Sequence, residues 1–167
     1  IMVSPDEIAY AAKRKENKNY KFRVFLKNHA NEQELDAQFL RLHNELFTDY
    51  DCSKCRNCCK LFHAEISVTD IEKSAEHLHL NTDEFIDTYL KQDEHGLYYI
   101  TKHKPCDFLQ EDGECMLGDC KPESCANYPY TNQPERLWGL FSHVQSVAVC
   151  PVTYEICERL KIAYNFK

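Results

Sequence analysis

The apolar positions of the first fifty residues recur at the period of a helix. Leu35, Phe39, Leu42 and Leu46 fall on one helical face behind Asn31 and Glu34, a capping pair, and predict a helix that delivers the chain to Asp51. Ahead of it, Ser4, Pro5 and Glu7 have the form of a helix start. Ile8, Ala11 and Ala12 give that helix a modest inner face. Beyond residue 60 the pattern shortens. Ala64 to Val68 reads as an extended piece, Thr69 with Glu72 opens a helix that turns Ile71, Ala75 and Leu78 inward, and Asn81 with Glu84 opens another carrying Phe85, Ile86, Tyr89 and Leu90. Residues 69–91 thus outline two short helices joined by a tight connection.

Tyr98 to Thr101 suits a pleated surface, and Asp112-Gly113 marks a tight hairpin. Pro122 and Pro129 predict an irregular loop across residues 121–130, ordered by something other than backbone ladders. Leu137 to Val149 is apolar and partly β-branched, which predicts a strand or extended core segment. Pro151 then starts a helix with Ile156, Cys157, Leu160, Ala163 and Tyr164 on one face. The fold class that follows is α+β, mostly helical. It is a small single domain over residues 1–167, with amino-terminal helices to residue 50, a cysteine-rich irregular and hairpin region over 51–151, and a carboxy-terminal helix over 152–167.

Composition changes the picture in three ways. A chain of 167 residues can bury roughly 70% of its unfolded surface, so it need not draw all its stability from a metal. The net charge of −7 and a pI of about 5.6 argue against a general affinity for nucleic acid or anionic membrane. Nine acids against Lys73 and Lys91 between Glu65 and Glu94 give the paired helices the wrong sign for reading DNA. The exception is Lys13 to Lys27, where seven basic residues and one acid, Glu16, are interleaved with Tyr20, Phe22 and Phe25. Such a stretch could dock RNA or an acidic partner, although a solvated helix face is the commoner meaning. No apolar run approaches the roughly 18 residues of a membrane span, and Ser4-Pro5-Asp6-Glu7 is no signal peptide, so the expected setting is reducing and cytoplasmic. Ile1 ahead of Met2 reads as an added residue.

The candidate chemistry lies in ten cysteines. Cys52, Cys55, Cys58 and Cys59 fall within eight residues, and two-residue gaps let a tight turn aim sulfurs at one centre, as in zinc and iron–sulfur sites. Adjacent side chains diverge, which would split Cys58 and Cys59 between centres. A disulfide framework is the alternative for an even number of cysteines, but it would require cramped local rings. The hairpin at Asp112-Gly113 would bring Cys106 and Cys115 together. His77 and His79 flank Leu78 in a polar helix end and read as solvent-facing, and Cys157 reads as a small buried hydrophobe.

In order, Cys52 to Cys59, Pro105-Cys106-Asp-Phe-Leu, Asp-Gly-x-Cys115, Lys121-Pro122-x-x-Cys125, Tyr128-Pro129 and Cys150-Pro151 resemble the YkgJ-type cysteine-cluster family of zinc- or iron-chelating domains. The resemblance covers roughly residues 50–151. It implies eight metal-ligand positions, Cys52, Cys55, Cys58, Cys59, Cys106, Cys115, Cys125 and Cys150, and leaves Cys120 and Cys157 as extras. Gly118, Ala126 and Lys121 depart from residues common in that family, which leaves the ligands intact. The domain also resembles part of flagellin lysine-N-methylases, but with four glycines the chain carries no glycine-rich nucleotide turn.

Function is expected to be that of a metal-binding protein with closed thiolate sites, partnering a protein rather than DNA or membrane. Catalysis is not expected: no His-Glu-x-x-His pattern is present, and a cysteine nucleophile would have to be Cys120 with His63, His103 or His143. The alternative is an iron–sulfur redox or enzymatic protein. Cys52, Cys55 and Cys58 with a remote Cys150 before Pro151 mimic a ferredoxin arrangement and favour iron or a 4Fe-4S cluster. Cys59, Cys106, Cys115 and Cys125 then remain as four thiolates that suit closed zinc.

Overall fold

A computed structural model describes residues 2–167; Ile1 lies outside the described residues. The chain forms two compact units. One is built from both ends, up to Asp51 and again from Pro129 to Lys167, and the other is Cys52–Tyr128.

The end-built unit is helical. Helix α1 runs over Ile8–His29 as one continuous element, burying Ile8, Ala12, Asn19, Phe22 and Leu26. Ser4 does not cap it. Glu7 is its N-cap without a side-chain hydrogen bond, because Ser4 is spent on a preceding turn in which its carbonyl accepts from Glu7 N at 3.1 Å. Helix α2 (Glu32–Phe47) behaves as its pattern predicts. The Asn31 side chain accepts from Glu34 N, and Leu35, Phe39, Leu42 and Leu46 are its buried residues. The last two helices of the chain, Leu140–Ser146 and Pro151–Ala163 (α7 and α8 below), complete this unit.

The second unit opens with a 3₁₀ turn, Cys52–Lys54, and helix α3, Asn57–Leu61. Strand β1 (Glu65–Ile66) follows, then α4 (Val68–His77) and α5 (Thr82–Tyr89), and then β2 (Leu90–Gln92) and β3 (Tyr99–Thr101). The strands form one antiparallel sheet in the order β1-β3-β2, with Ile66 opposite Tyr99 and Leu90 opposite Thr101. The cap of helix α4 falls two residues before the predicted one. Ser67 and Asp70 make the capping box, leaving Thr69 inside the first turn. Asn81 caps α5 as predicted, accepting from Glu84 N at 2.8 Å. A core of Ile66, Ile71, Ala75, Phe85, Leu90, Phe108 and Leu117 binds sheet to helices, with the rings of Phe85 and Phe108 stacked 5.8 Å apart.

Two predicted irregular or extended segments are helices. Within 121–130 a short helix, α6 (Glu123–Asn127), begins directly after Pro122, which cannot donate to a preceding turn but serves well at a helix start. Within 137–149 the chain forms α7, Leu140–Ser146. Its buried residues, Leu140, His143 and Ser146, fall at helical spacing, and burial of that face overrides the β-branched preference of the flanking valines. Helix α8 is Pro151–Ala163 with Pro151 in its first turn; Ile156, Cys157 and Leu160 are buried while Ala163 is exposed.

Candidate metal centre

Seven of the eight candidate ligands lie in the second unit, on four separate pieces of chain. Cys52 and Cys55 belong to the opening turn, whose carbonyl at Cys52 accepts from Cys55 N (3.1 Å) and Arg56 N (3.0 Å). Cys58 and Cys59 sit on α3. Arg56 makes that abrupt switch from turn to helix by adopting a left-handed conformation at φ 51°. Cys106 follows β3 and a cis Lys104–Pro105 bond; its N–H donates to the Cys59 carbonyl at 2.8 Å, tying this loop to α3.

Cys115 stands on the return arm of the hairpin. Leu109 and Cys115 pair across it, Gln110 N donates to Glu114 O at 2.9 Å, and Gly113 closes the loop at φ +85°. This is the three-residue hairpin closed by a left-handed glycine, one residue longer than the tightest form. Gly113 also abuts the opening turn: a Cβ built on it would lie 1.9 Å from the Ser53 carbonyl oxygen. Arg56 Nε donates to the Gly113 carbonyl at 2.5 Å, so the hairpin and the first cysteine turn are held together from both sides. Cys125 arrives on α6, whose first turn is placed by Asp70 accepting from Glu123 N and by Ser124 donating to Glu65 O.

The electrostatics show which thiols share a neighbourhood. Burial pushes the Cys106 thiol up to about 11, and the nearby Cys59 and Cys115 push in the same direction. Burial likewise raises Cys125 to about 11, with Cys59, Cys106 and Cys115 all contributing. Cys59 goes the other way, to about 6. A side-chain hydrogen bond from Cys58 stabilises its thiolate, and Arg56, Lys121 and Lys60 add positive potential. On the short α3 the Cys58 thiol donates to its neighbour.

Cys59, Cys106, Cys115 and Cys125 form a set in which one thiolate is ready at neutral pH while the Cys106 and Cys125 thiols resist ionisation beside it. A thiophilic cation fits this donor set, because its charge would reverse the penalty that crowding and burial impose. Among the described residues, no three His, Cys, Asp or Glu side chains already converge as a finished cage. All ten cysteines are free of disulfides.

Other candidates go elsewhere. Cys150 is in the end-built unit, as the N-cap of α8. Cys157 is buried there, its thiol raised to about 12 by burial and donating weakly to Asn19 Oδ1 at 3.6 Å. His63 faces the Thr101 carbonyl (2.7 Å), His77 the Met116 carbonyl (3.2 Å) and His103 the Asp107 carboxylate (2.8 Å), while His143 is buried in the other unit. The supporting residue that sequence reasoning missed is Arg56. A lone arginine inside a cysteine run carries no signal of its left-handed backbone or of its hairpin contact.

Among the described residues no helix is long and apolar enough to cross a membrane. No curated protein and no solved structure matches the chain. Residues 51–146, more than half the chain and a span that stops short of Cys150, match the family CxxCxxCC, "Putative zinc- or iron-chelating domain", and the protein belongs to that family.

Proposed function

We propose that the second unit is a thiolate metal centre with a structural role, in which Cys59, Cys106, Cys115 and Cys125 hold one ion. Cys52, Cys55 and Cys58 of the same unit make up a second ligand set. The observation that carries this reading is the shared neighbourhood of four cysteines drawn from α3, the loop after β3, the hairpin and α6. When bound, a divalent cation supplies the positive charge that lets those thiols ionise together, and it cross-links four segments that regular secondary structure joins only weakly. Arg56, Lys60 and Lys121 hold the Cys59 thiolate in readiness, and the Arg56–Gly113 contact keeps the opening turn against the hairpin.

Zinc is the ion this reading puts first, since a set of four thiolates leaves no open coordination position for a substrate. Ten cysteines without a disulfide fit a cytoplasmic, reducing setting. The unit itself carries eight basic and fifteen acidic residues, a net of −7, which suits a protein partner and not DNA.

Elemental analysis and visible absorption of anaerobically purified protein test the proposal. Colourless protein holding about two zinc ions per chain, released to a strong chelator, is the expected result. A metal ratio near zero with thiol titration showing five disulfides would sink it. Strong visible absorption with inorganic sulfide would replace zinc by an iron–sulfur cluster.

A further inference from the structure

The metal centre makes no use of the basic helix at the amino-terminal end. Helix α1 and helix α7 enclose an open groove of about 230 Å³, room for one planar ring. Small apolar residues, Ala9, Ala12, Val147 and Ala148, line it. Asn19 is the buried polar residue on its wall, 2% exposed, and its one partner among the described residues is the weak Cys157 thiol donor, so its amide hydrogens have no protein acceptor.

Beside the groove stands an aromatic platform. Tyr20 packs against Phe141 with ring centroids 6.4 Å apart, and the Arg23 guanidinium lies 5.3 Å above the Phe141 ring. Phe141 is nevertheless 48% exposed, and Trp138, three residues earlier, is 72% exposed. Lys13, Tyr20, Arg23 and Lys27 share one stripe of α1, about 21 Å long at 1.5 Å per residue. The acid on that stripe, Glu16, is neutralised by Lys13 at 2.6 Å, while Arg23 and Lys27 have no carboxylate partner among the described residues.

Exposed rings beside unpaired cations and a ring-sized slot call for a ligand that is anionic along its length and carries flat apolar groups at intervals. An acidic peptide would match the charge and leave the rings and slot unused. A nucleic-acid duplex keeps its base faces inside its own stack, whereas a single strand offers them. We propose that the α1/α7 groove and its platform bind a single-stranded polynucleotide. One base enters the slot with its edge on the Asn19 amide, the next stacks on Phe141, and Arg23 and Lys27 meet the phosphates. The unit that holds α1 carries twelve basic and twelve acidic residues and is itself neutral. This inference does not rest on the metal reading.

The test uses the full chain as purified, with fluorescein-labelled ten-nucleotide oligouridylate and oligodeoxythymidylate in separate arms, and poly-glutamate and a ten-base-pair duplex as competitors. Dissociation constants of about 1–100 μM at low salt, weakening as salt rises, are expected for at least one single strand. Binding should also quench Trp138, the only tryptophan in the chain. Phe141→Ala, checked for unchanged circular dichroism, should weaken binding at least about fivefold, and Arg23→Gln should flatten the salt dependence. The two arms show whether the strand is RNA or DNA. Absence of binding in both arms overturns the proposal. So does binding that Phe141→Ala leaves unchanged, or that poly-glutamate or duplex displaces as well as the unlabelled strand does; those results identify a general polyanion surface.

Discussion

Replacing Gly113 by alanine should damage the cysteine unit more than any other glycine substitution there. The added methyl group would sit 1.9 Å from the Ser53 carbonyl oxygen and 2.9 Å from its carbonyl carbon, where about 3.5 Å is ordinary contact. Both atoms are backbone, so the hairpin or the opening turn must move by more than an ångström. Alanine at φ +85° also carries a left-handed penalty of about 1–2 kcal/mol. Displacement would break the Arg56–Gly113 hydrogen bond, worth about 1.5–3 kcal/mol because its donor is charged. Together these give about 3–5 kcal/mol, against a typical domain stability of about 5–15. Gly96→Ala is the control: φ is +67°, but the nearest atom is the flexible end of Gln92 at 3.6 Å, so only the backbone penalty of about 1–2 kcal/mol should remain. Urea unfolding of the metal-loaded proteins, together with the rate of metal release to a chromogenic chelator, reads both variants. If Gly113→Ala unfolds within about 0.5 kcal/mol of Gly96→Ala, well inside the predicted gap, the close approach of hairpin and turn is not as described.

Four further outcomes follow from the structure. Chelator treatment should strip amide-exchange protection from residues 52–128 while α1 and α2 keep theirs; equal protection before and after would remove the metal from the stability of the unit. Phe108→Ala, deleting one ring of the stacked pair in the second core, should cost about 3–5 kcal/mol in urea unfolding, and a loss below about 1 would mean that this core is not packed. His143 is buried with neither ring nitrogen hydrogen-bonded, and burial, aided by Arg136, pushes it down to about 3. Because the unfolded chain then binds more protons than the folded one below about pH 6.5, lowering the pH from 7.5 to 5 should cost about 2 kcal/mol, and His143→Gln should abolish that slope. Finally, Cys125→Ser should lose one bound ion per chain by elemental analysis and Cys120→Ser none; equal losses would contradict the assignment of Cys120 as a bystander.

Much of the helical frame was legible because its signals are local. Asn31 with Glu34 and Asn81 with Glu84 are capping pairs that the backbone uses as they stand, and Leu35, Phe39, Leu42 and Leu46 repeat at helical spacing over nearly three turns. The fold departs from the local pattern where two local signals compete. Ser4 and Ser67 both precede an acid by three residues; only Ser67 forms the box, since Ser4 is consumed by a turn. The valines of residues 137–149 suggested a strand, but a strand there would lack a partner edge, and the helix buries Leu140 and His143 on one side without one. Pro122 and Pro129 have the look of an irregular loop, yet the six residues between them suffice for the short helix, Glu123–Asn127, that carries Cys125.

The cysteines divide in the same way between what spacing carries and what only the fold supplies. Donor identity is in the sequence, and so is the proximity of Cys106 and Cys115, because a hairpin brings its two arms together whatever surrounds it. The meeting of that hairpin with α3 and α6 is not, because it depends on contacts that leave no local pattern: Arg56 reaching Gly113, Asp70 accepting from Glu123, Ser124 donating to Glu65. These contacts carry thiols from distant parts of the sequence into one buried neighbourhood, where ionising all of them costs more than any one costs alone. That cost is the physical argument for a cation. A fold selected only for packing would fill such a place with apolar side chains, whereas one that gathers three more cysteines around a thiolate held near pKa 6 gains stability when positive charge arrives.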